Sequence, residues 1–308
     1  MASRWLSPSQ SRHPLRIHTD TTNFFKIEYN DVVVLNSKPY LIHHNAKEGR
    51  FGLDDEVKFW VKRAIDLKTG SLKILKLVFY ETFKTRIGGI EFECFRSPKK
   101  EARILDVIAG HKNFMRGCSI KDKEGNIVRV LDYIFGKSLH AYIESLQMNH
   151  HTYFYNFFPG ILCNFIKCIE AIRFLRQHAE KQGDIRRDHI LIDSDSGRYR
   201  WIDFNYRHRE NIYGYDLFGL GNVLVFLVGM GDVLLPDLKK QDHPALDGLR
   251  EEDLNIVFNN RVANLKKIYP YIPESLNRVL MHFSKGANWF YETTTQLLND
   301  LREFKTLT

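Results

Sequence analysis

Gly183-Asp184-Ile185-Arg186-Arg187-Asp188-His189-Ile190-Leu191-Ile192-Asp193, followed after a short Gly-containing turn by Tyr199-Arg200-Trp201-Ile202-Asp203-Phe204-Asn205, is the stretch that decides the reading of this chain. The apolar runs Ile190-Leu191-Ile192 and Trp201-Ile202 predict a short hairpin. One acid, Asp184, stands in the loop before it, and another, Asp203, stands at its end. A loop carboxylate can accept a hydrogen bond from a hydroxyl and set its angle of attack, an effect of roughly 10²- to 10⁴-fold in rate. A carboxylate after buried apolar residues needs a partner, and a metal ion is one. The plain alternative for Asp184 is an exposed loop acid.

Working outward, a long apolar helical segment over residues 153–177 leads into the loop, and Tyr215–Val228 predicts a helix beyond it. A loop-rich middle with Pro236 and Pro244 follows, then helices over 274–284 and 291–304. Upstream the pattern is of strands. Val32-Val33-Val34-Leu35, an Asn36-Ser37 turn and Tyr40-Leu41-Ile42 predict one hairpin. Residues 57–65 and 72–79, joined by Lys68-Thr69-Gly70, predict a second. Ser97-Pro98 is a helix start, with Ser as cap and Pro at the first helical position, and Gly110 is its stop. A strand over 128–133 and a helix over 139–146 complete the order, which is α+β: strand-rich first, helix-rich second.

The 308 residues, 44% of them hydrophobic, allow two lobes with a sizeable core, and the pattern divides them into an N-terminal arm (1–22), a strand-rich lobe (23–135) and a helical lobe (136–308). The arm is polar and expected to be flexible. No apolar run approaches the ~18 residues of a membrane span. Residues 1–18 lack an apolar signal core, so the expected compartment is the cytoplasm. Cys94, Cys118, Cys163 and Cys168 lack metal-site spacing and are expected as reduced, buried small residues. The formal charge of +8 is spread among acids along the chain, which speaks against a nucleic-acid partner.

These motifs resemble the protein-kinase-like superfamily over about residues 45–301. The resemblance implies a two-lobed fold, a small antiparallel-sheet N-lobe with one helix and a mainly helical C-lobe, with ATP held between them. Asp184 matches the catalytic Asp and Asp203-Phe204-Asn205 the metal-binding Asp-Phe-Gly. The superfamily's Asn five residues after the catalytic Asp is replaced by His189, as in bacterial lipopolysaccharide core kinases. Gln182 stands where the catalytic-loop His is usual. Asp203 and His189 are then the expected ligands of Mg2+ or Mn2+. Imidazole suits manganese better than magnesium, and a His189 that only hydrogen-bonds the loop is the alternative. Asn205 is expected to replace the motif's Gly because Asn tolerates left-handed backbone.

Ile74-Leu75-Lys76-Leu77-Val78 resembles the strand that carries the phosphate-anchoring Lys, which assigns Lys76, with Lys73 on the opposite face as competitor. Glu101 on the following helix is its expected partner, against the simpler role of a first-turn acid on the helix dipole. Gly49 and Gly52 would cover the phosphates, and backbone groups near Tyr133 and Ile134 would meet the adenine. Arg186 would stabilise charge on the transferring group. Tyr215-Asp216-Leu217-Phe218-Gly219 resembles the helix whose Asp braces the catalytic loop in eukaryotic-type protein kinases. Twelve residues separate Asp203 from Asp216, too few for the usual activation segment. The resemblance therefore implies a kinase acting on protein Ser/Thr. A small-molecule or glycolipid kinase and a catalytically dead scaffold are the alternatives, the second favoured by Gln182, His189 and Asn205.

Overall fold

The computed structural model describes residues 15–48, 56–87, 90–208 and 214–306. The chain forms a mixed α+β structure, mostly strand with a large sheet in its N-terminal region and mainly helical in its C-terminal region. It divides into two compact units: residues 1–82, 95–111 and 115–134, and residues 83–94, 112–114 and 135–308.

In the first unit, β1 (Ile17–His18), β2 (Val32–Leu35), β3 (Lys38–Glu48), β4 (Glu56–Asp66) and β5 (Leu72–Lys76) run in sequence order across a sheet. Two later strands, β8 (Gly117–Lys121) and β9 (Ile127–Asp132), extend it in the order β5-β9-β8. Asn36 and Ser37 both take positive φ (46° and 60°), the backbone twist a two-residue hairpin turn requires, so β2 and β3 pair tightly. Alternation puts Val33, Leu35, Tyr40, Ile42, Leu75 and Val130 into one buried cluster. β5 ends at Lys76, three residues short of the expected strand end, although Leu77 is still held by its N–H to Trp60 O at 2.8 Å.

Helix α1 (Pro98–Val107) begins at the Ser97 cap, whose side chain accepts the Lys100 N–H at 3.2 Å, and packs on β8 and β9. Gly110 follows with φ 79°, a left-handed conformation that ends the helical path. Residues 17–22, expected in the flexible arm, are tied to the sheet: β1 pairs with β2, and Thr21 bonds Asp122 through both N–H and hydroxyl at 2.7 Å. Cys118 is exposed and Cys163 half-buried, so only Cys94 and Cys168 are the buried small residues expected.

In the second unit, β10 (Gly136–Ser138), β11 (Ile190–Asp193) and β12 (Tyr199–Trp201) make a small antiparallel sheet. β6 (Thr82–Ile87), β7 (Ile90–Arg96) and β13 (Tyr206–His208) make another in the order β13-β7-β6. The sequence pattern marks neither β6 and β7 nor a strand after Asp203. The helices are α2 (Leu139–Glu144), α3 (His150–Asn156), α4 (Phe158–Gln177), α5 (Tyr215–Val228), α6 (Leu235–Lys240), α7 (Glu274–Met281) and α8 (Thr294–Thr306). The single helix expected over 153–177 is two, because Pro159 sits in the first turn of α4, where its missing N–H costs nothing, and forces a break before it. α4 packs against α5 and α8, and its buried face carries Ile161, Phe165, Ile169 and Leu175. No helix among the described residues is long and apolar enough to cross a membrane.

Candidate active site

In the first unit the sheet register places Lys76 on β5 directly beside Arg129 on β9. Two neighbouring cations repel unless an acid serves both. Glu101, in the first turn of α1, does so: Lys76 Nζ lies 2.8 Å from its Oε1 and Arg129 Nε 3.1 Å from its Oε2. All three side chains are buried, Glu101 completely. Arg129 is fixed further by donating to Ile127 O and Leu77 O. Lys73, on the other face, pairs instead with Asp132 at 2.6 Å near solvent.

In the second unit the loop before β11 is held from below by α5. The Asp216 carboxylate, 2% exposed, accepts the backbone N–H groups of Gln182 at 3.0 Å and Gly183 at 2.9 Å. Gly183 takes φ 82°, which turns both amides toward that one carboxylate. Gln182 is itself a cross-link: its amide nitrogen donates to Asp203 O at 3.0 Å, and its Oε1 accepts the Asp184 N–H. One fully buried side chain therefore joins the two acids' backbones.

The β11–β12 hairpin that separates those acids is locally determined. Asp193 closes its turn by accepting from Asp195 N–H at 3.0 Å and Ser196 Oγ at 2.9 Å, and Gly197 takes φ 65°. Trp201 is fully buried and donates its indole N–H to Cys168 O on α4 at 3.0 Å, which anchors the strand leading to Asp203.

His189, 3% exposed, donates from Nδ1 to Asp184 O at 2.8 Å. With Nδ1 committed to that bond, Nε2 faces Asp203 Oδ2 and Asp188 Oδ2, each 3.9 Å away. Asp188 is already engaged by Arg186, and its carboxyl lies below the ordinary range: burial raises it, but His189 and Arg186 together outweigh that. Arg186, expected at the transferring group, thus spends its guanidinium on Asp188. Asp184 is different. Burial pushes its carboxyl up, with the Asp203 and Asp188 charges adding and His189 and Arg186 opposing. Its Oδ2 is shut away from solvent, makes no hydrogen bond among the described residues and lies 3.5 Å from His189 Nδ1, while the side chain as a whole keeps 17% exposure.

Asp203 takes φ 65°, a strained conformation for a residue with a Cβ. The sequence reading put the left-handed tolerance on Asn205, two residues late; Asn205 has no positive φ and donates its amide to Asp203 Oδ1 at 2.9 Å. Among the described residues no group of three or more His, Cys, Asp or Glu is placed to hold a metal. The arrangement at hand is the pair Asp203 and His189.

The remaining expected positions are less informative. Gly49 and Gly52 lie outside the described residues. The Tyr133 N–H is spent in the sheet on Leu72 O at 3.3 Å, which removes it as a donor to adenine. Ile134 is half-buried in the extended stretch after β9. Arg129 and Gln182 were not read as site residues from sequence. Arg129 is detectable only through the pairing of β9 with β5, because its register with Lys76 is a tertiary fact. No protein-family model matches the chain, and no curated protein matches it.

Proposed function

We propose that the protein is an ATP-dependent phosphotransferase of the protein-kinase-like superfamily that moves the terminal phosphoryl group to a hydroxyl, with protein Ser or Thr as the favoured acceptor. The observation that carries this reading is the loop around Asp184, braced by Asp216 and cross-linked to Asp203 through Gln182. Phosphoryl transfer asks a protein mainly for positioning and charge stabilisation, and this loop is a positioning device.

Each residue then has a role. Asp184, with its side chain partly exposed and its pKa raised by burial, accepts a hydrogen bond from the acceptor hydroxyl; a raised pKa makes it a better base at neutral pH. Lys76, oriented by Glu101 and Arg129, anchors the nucleotide phosphates. The residues present fit a divalent cation: Asp203 offers a carboxylate, and the Nε2 of His189, whose Nδ1 is held by Asp184 O, faces it from 3.9 Å. Two protein ligands suffice for Mg2+ or Mn2+ when phosphate oxygens and water complete the shell, and the cation supplies charge neutralisation on those phosphates. The Asp216 brace supports the protein-kinase branch over the small-molecule and glycolipid kinases.

The test is transfer of labelled terminal phosphoryl from ATP to a mixed Ser/Thr peptide library, with magnesium or manganese. Wild type should label peptide. Asp184→Ala should lose turnover and keep ATP affinity, and Asp203→Ala should lose metal-dependent ATP binding. ATP bound without transfer to any hydroxyl would instead make the chain a catalytically dead, nucleotide-binding module.

A further inference from the structure

Arg187 lies three residues after Asp184 in the same loop, and the roles assigned above do not use it. Its Nη1 donates to both carboxylate oxygens of Asp232 at 2.9 Å. The carbon of its guanidinium lies over the Phe226 ring, 4.1 Å from the centroid. That leaves Nε and Nη2, the planar edge able to hold two oxygens at once, with no hydrogen bond to the described residues, on a side chain 24% exposed.

The surroundings add positive charge and orphaned polar atoms. Arg261 shares the same carboxylate, its Nη2 2.8 Å from Asp232 Oδ1, so two guanidiniums rest on one acid. Arg261 is 6% exposed, and its Nε is buried with no hydrogen-bond partner among the described residues. His140 on α2, which packs against the turn carrying Arg187, has its ring 5.7 Å from the same Phe226; its Nε2 lies 3.3 Å from Glu144 Oε1, and its buried Nδ1 has no partner among the described residues. A structural ion pair needs one arginine per acid and no open fork. Here two guanidiniums share one acid, and an aromatic ring packs under the one with the open edge.

We infer that the Nε–Nη2 edge of Arg187 is an anion-binding fork that receives a phosphate or carboxylate group of the acceptor. Asp232 and Phe226 orient it, and Arg261 supplies second charge behind it. The word acceptor rests on the phosphotransferase reading; the anion site itself does not. The acceptor class it specifies is a hydroxyl-bearing molecule or peptide with an acidic group near the hydroxyl.

The experiment is calorimetric titration of the nucleotide-free full chain with inorganic phosphate and, separately, acetate. Wild type should bind at least one, and which one identifies the acidic group. Arg187→Gln should weaken that binding about tenfold or more. Lys76→Met, which removes the other expected phosphate anchor, should leave the Arg187-dependent binding in place, whatever phosphate is lost at the nucleotide position. Asp232→Asn, which keeps an acceptor oxygen for Arg187 Nη1 but removes the competing negative charge, should bind the anion more tightly. Each variant is used only after its melting curve shows a cooperative transition. Failure of both anions to bind wild type overturns the inference, as does binding unchanged in Arg187→Gln or abolished only in Lys76→Met. Anion binding that behaves as expected in a protein with no phosphotransfer activity would remove the reading of function and leave this site standing.

Discussion

Lys76 Nζ and Glu101 Oε1 lie 2.8 Å apart, and the acid is shut completely away from water. A buried carboxylate needs compensating partners, and Lys76 and Arg129 both reach it.

The sharing makes the two ends of the pair unequal. Glu101→Ala leaves two adjacent cations without their common acid and should cost about 3–5 kcal/mol, read as a fall in the denaturant midpoint. Lys76→Met leaves Glu101 still paired to Arg129 and should cost clearly less. Equal losses would mean that Arg129 contributes nothing.

Asp216 serves two amides at once. Asp216→Ala strands the Gln182 and Gly183 N–H groups in the interior, at about 1–3 kcal/mol each. Hydrogen exchange at those two amides should accelerate in the variant, and the phosphotransfer rate should fall with them. Unchanged protection would show that the loop keeps its shape without the brace.

Gly219, on α5, faces the same loop. A Cβ built there would sit 2.6 Å from Ile185 Cβ and 3.1 Å from Ile185 O, so it must displace the residue next to Asp184. Gly219→Ala should therefore lower activity. Gly160→Ala, in the first turn of α4 with nothing within 4 Å, should be neutral or stabilise by up to about 1 kcal/mol. Melting curves and turnover on the two variants check both statements.

His150 sets an acid limit. It stacks on Tyr269 with ring centroids 3.5 Å apart, donates from Nε2 to Val228 O at 2.7 Å, and accepts a hydrogen bond from the Tyr271 hydroxyl on Nδ1 at 2.7 Å. Burial holds its pKa below the ordinary 6.5; the Val228 carbonyl opposes that and neighbouring His151 adds to it. Between the folded value and 6.5 the unfolded chain binds the proton and the folded chain does not. The stabilisation is thus complete above about pH 6.5 and is lost as pH falls toward the folded pKa. His150→Gln should flatten that slope in melting temperature measured from pH 7.5 to pH 5.

Local signals made much of this legible before any coordinates. The Asn36-Ser37 turn, the Ser97-Pro98 helix start and the alternation around Lys76 act within a few residues of chain, and each stands where its pattern put it. Asp184, His189 and Asp203 are brought together by one hairpin, so their spacing along the chain carries their proximity. What was hidden depends on register or on backbone conformation. Arg129 joins Glu101 from a strand 28 residues away, Gln182 uses both ends of its amide, and the left-handed residue is Asp203, which no residue preference would select over Asn205. The break at Pro159 was legible from proline chemistry and was overridden by the apolar run around it.

The central claim is that Asp203 and His189 hold a nucleotide-bound cation. Thermal denaturation of the purified chain with ATP in magnesium, manganese or chelator, beside Asp203→Ala, tests it most directly. A metal-dependent rise in melting temperature that disappears in Asp203→Ala is the result expected. No shift with either metal at millimolar ATP, or a shift that survives in Asp203→Ala, would contradict it.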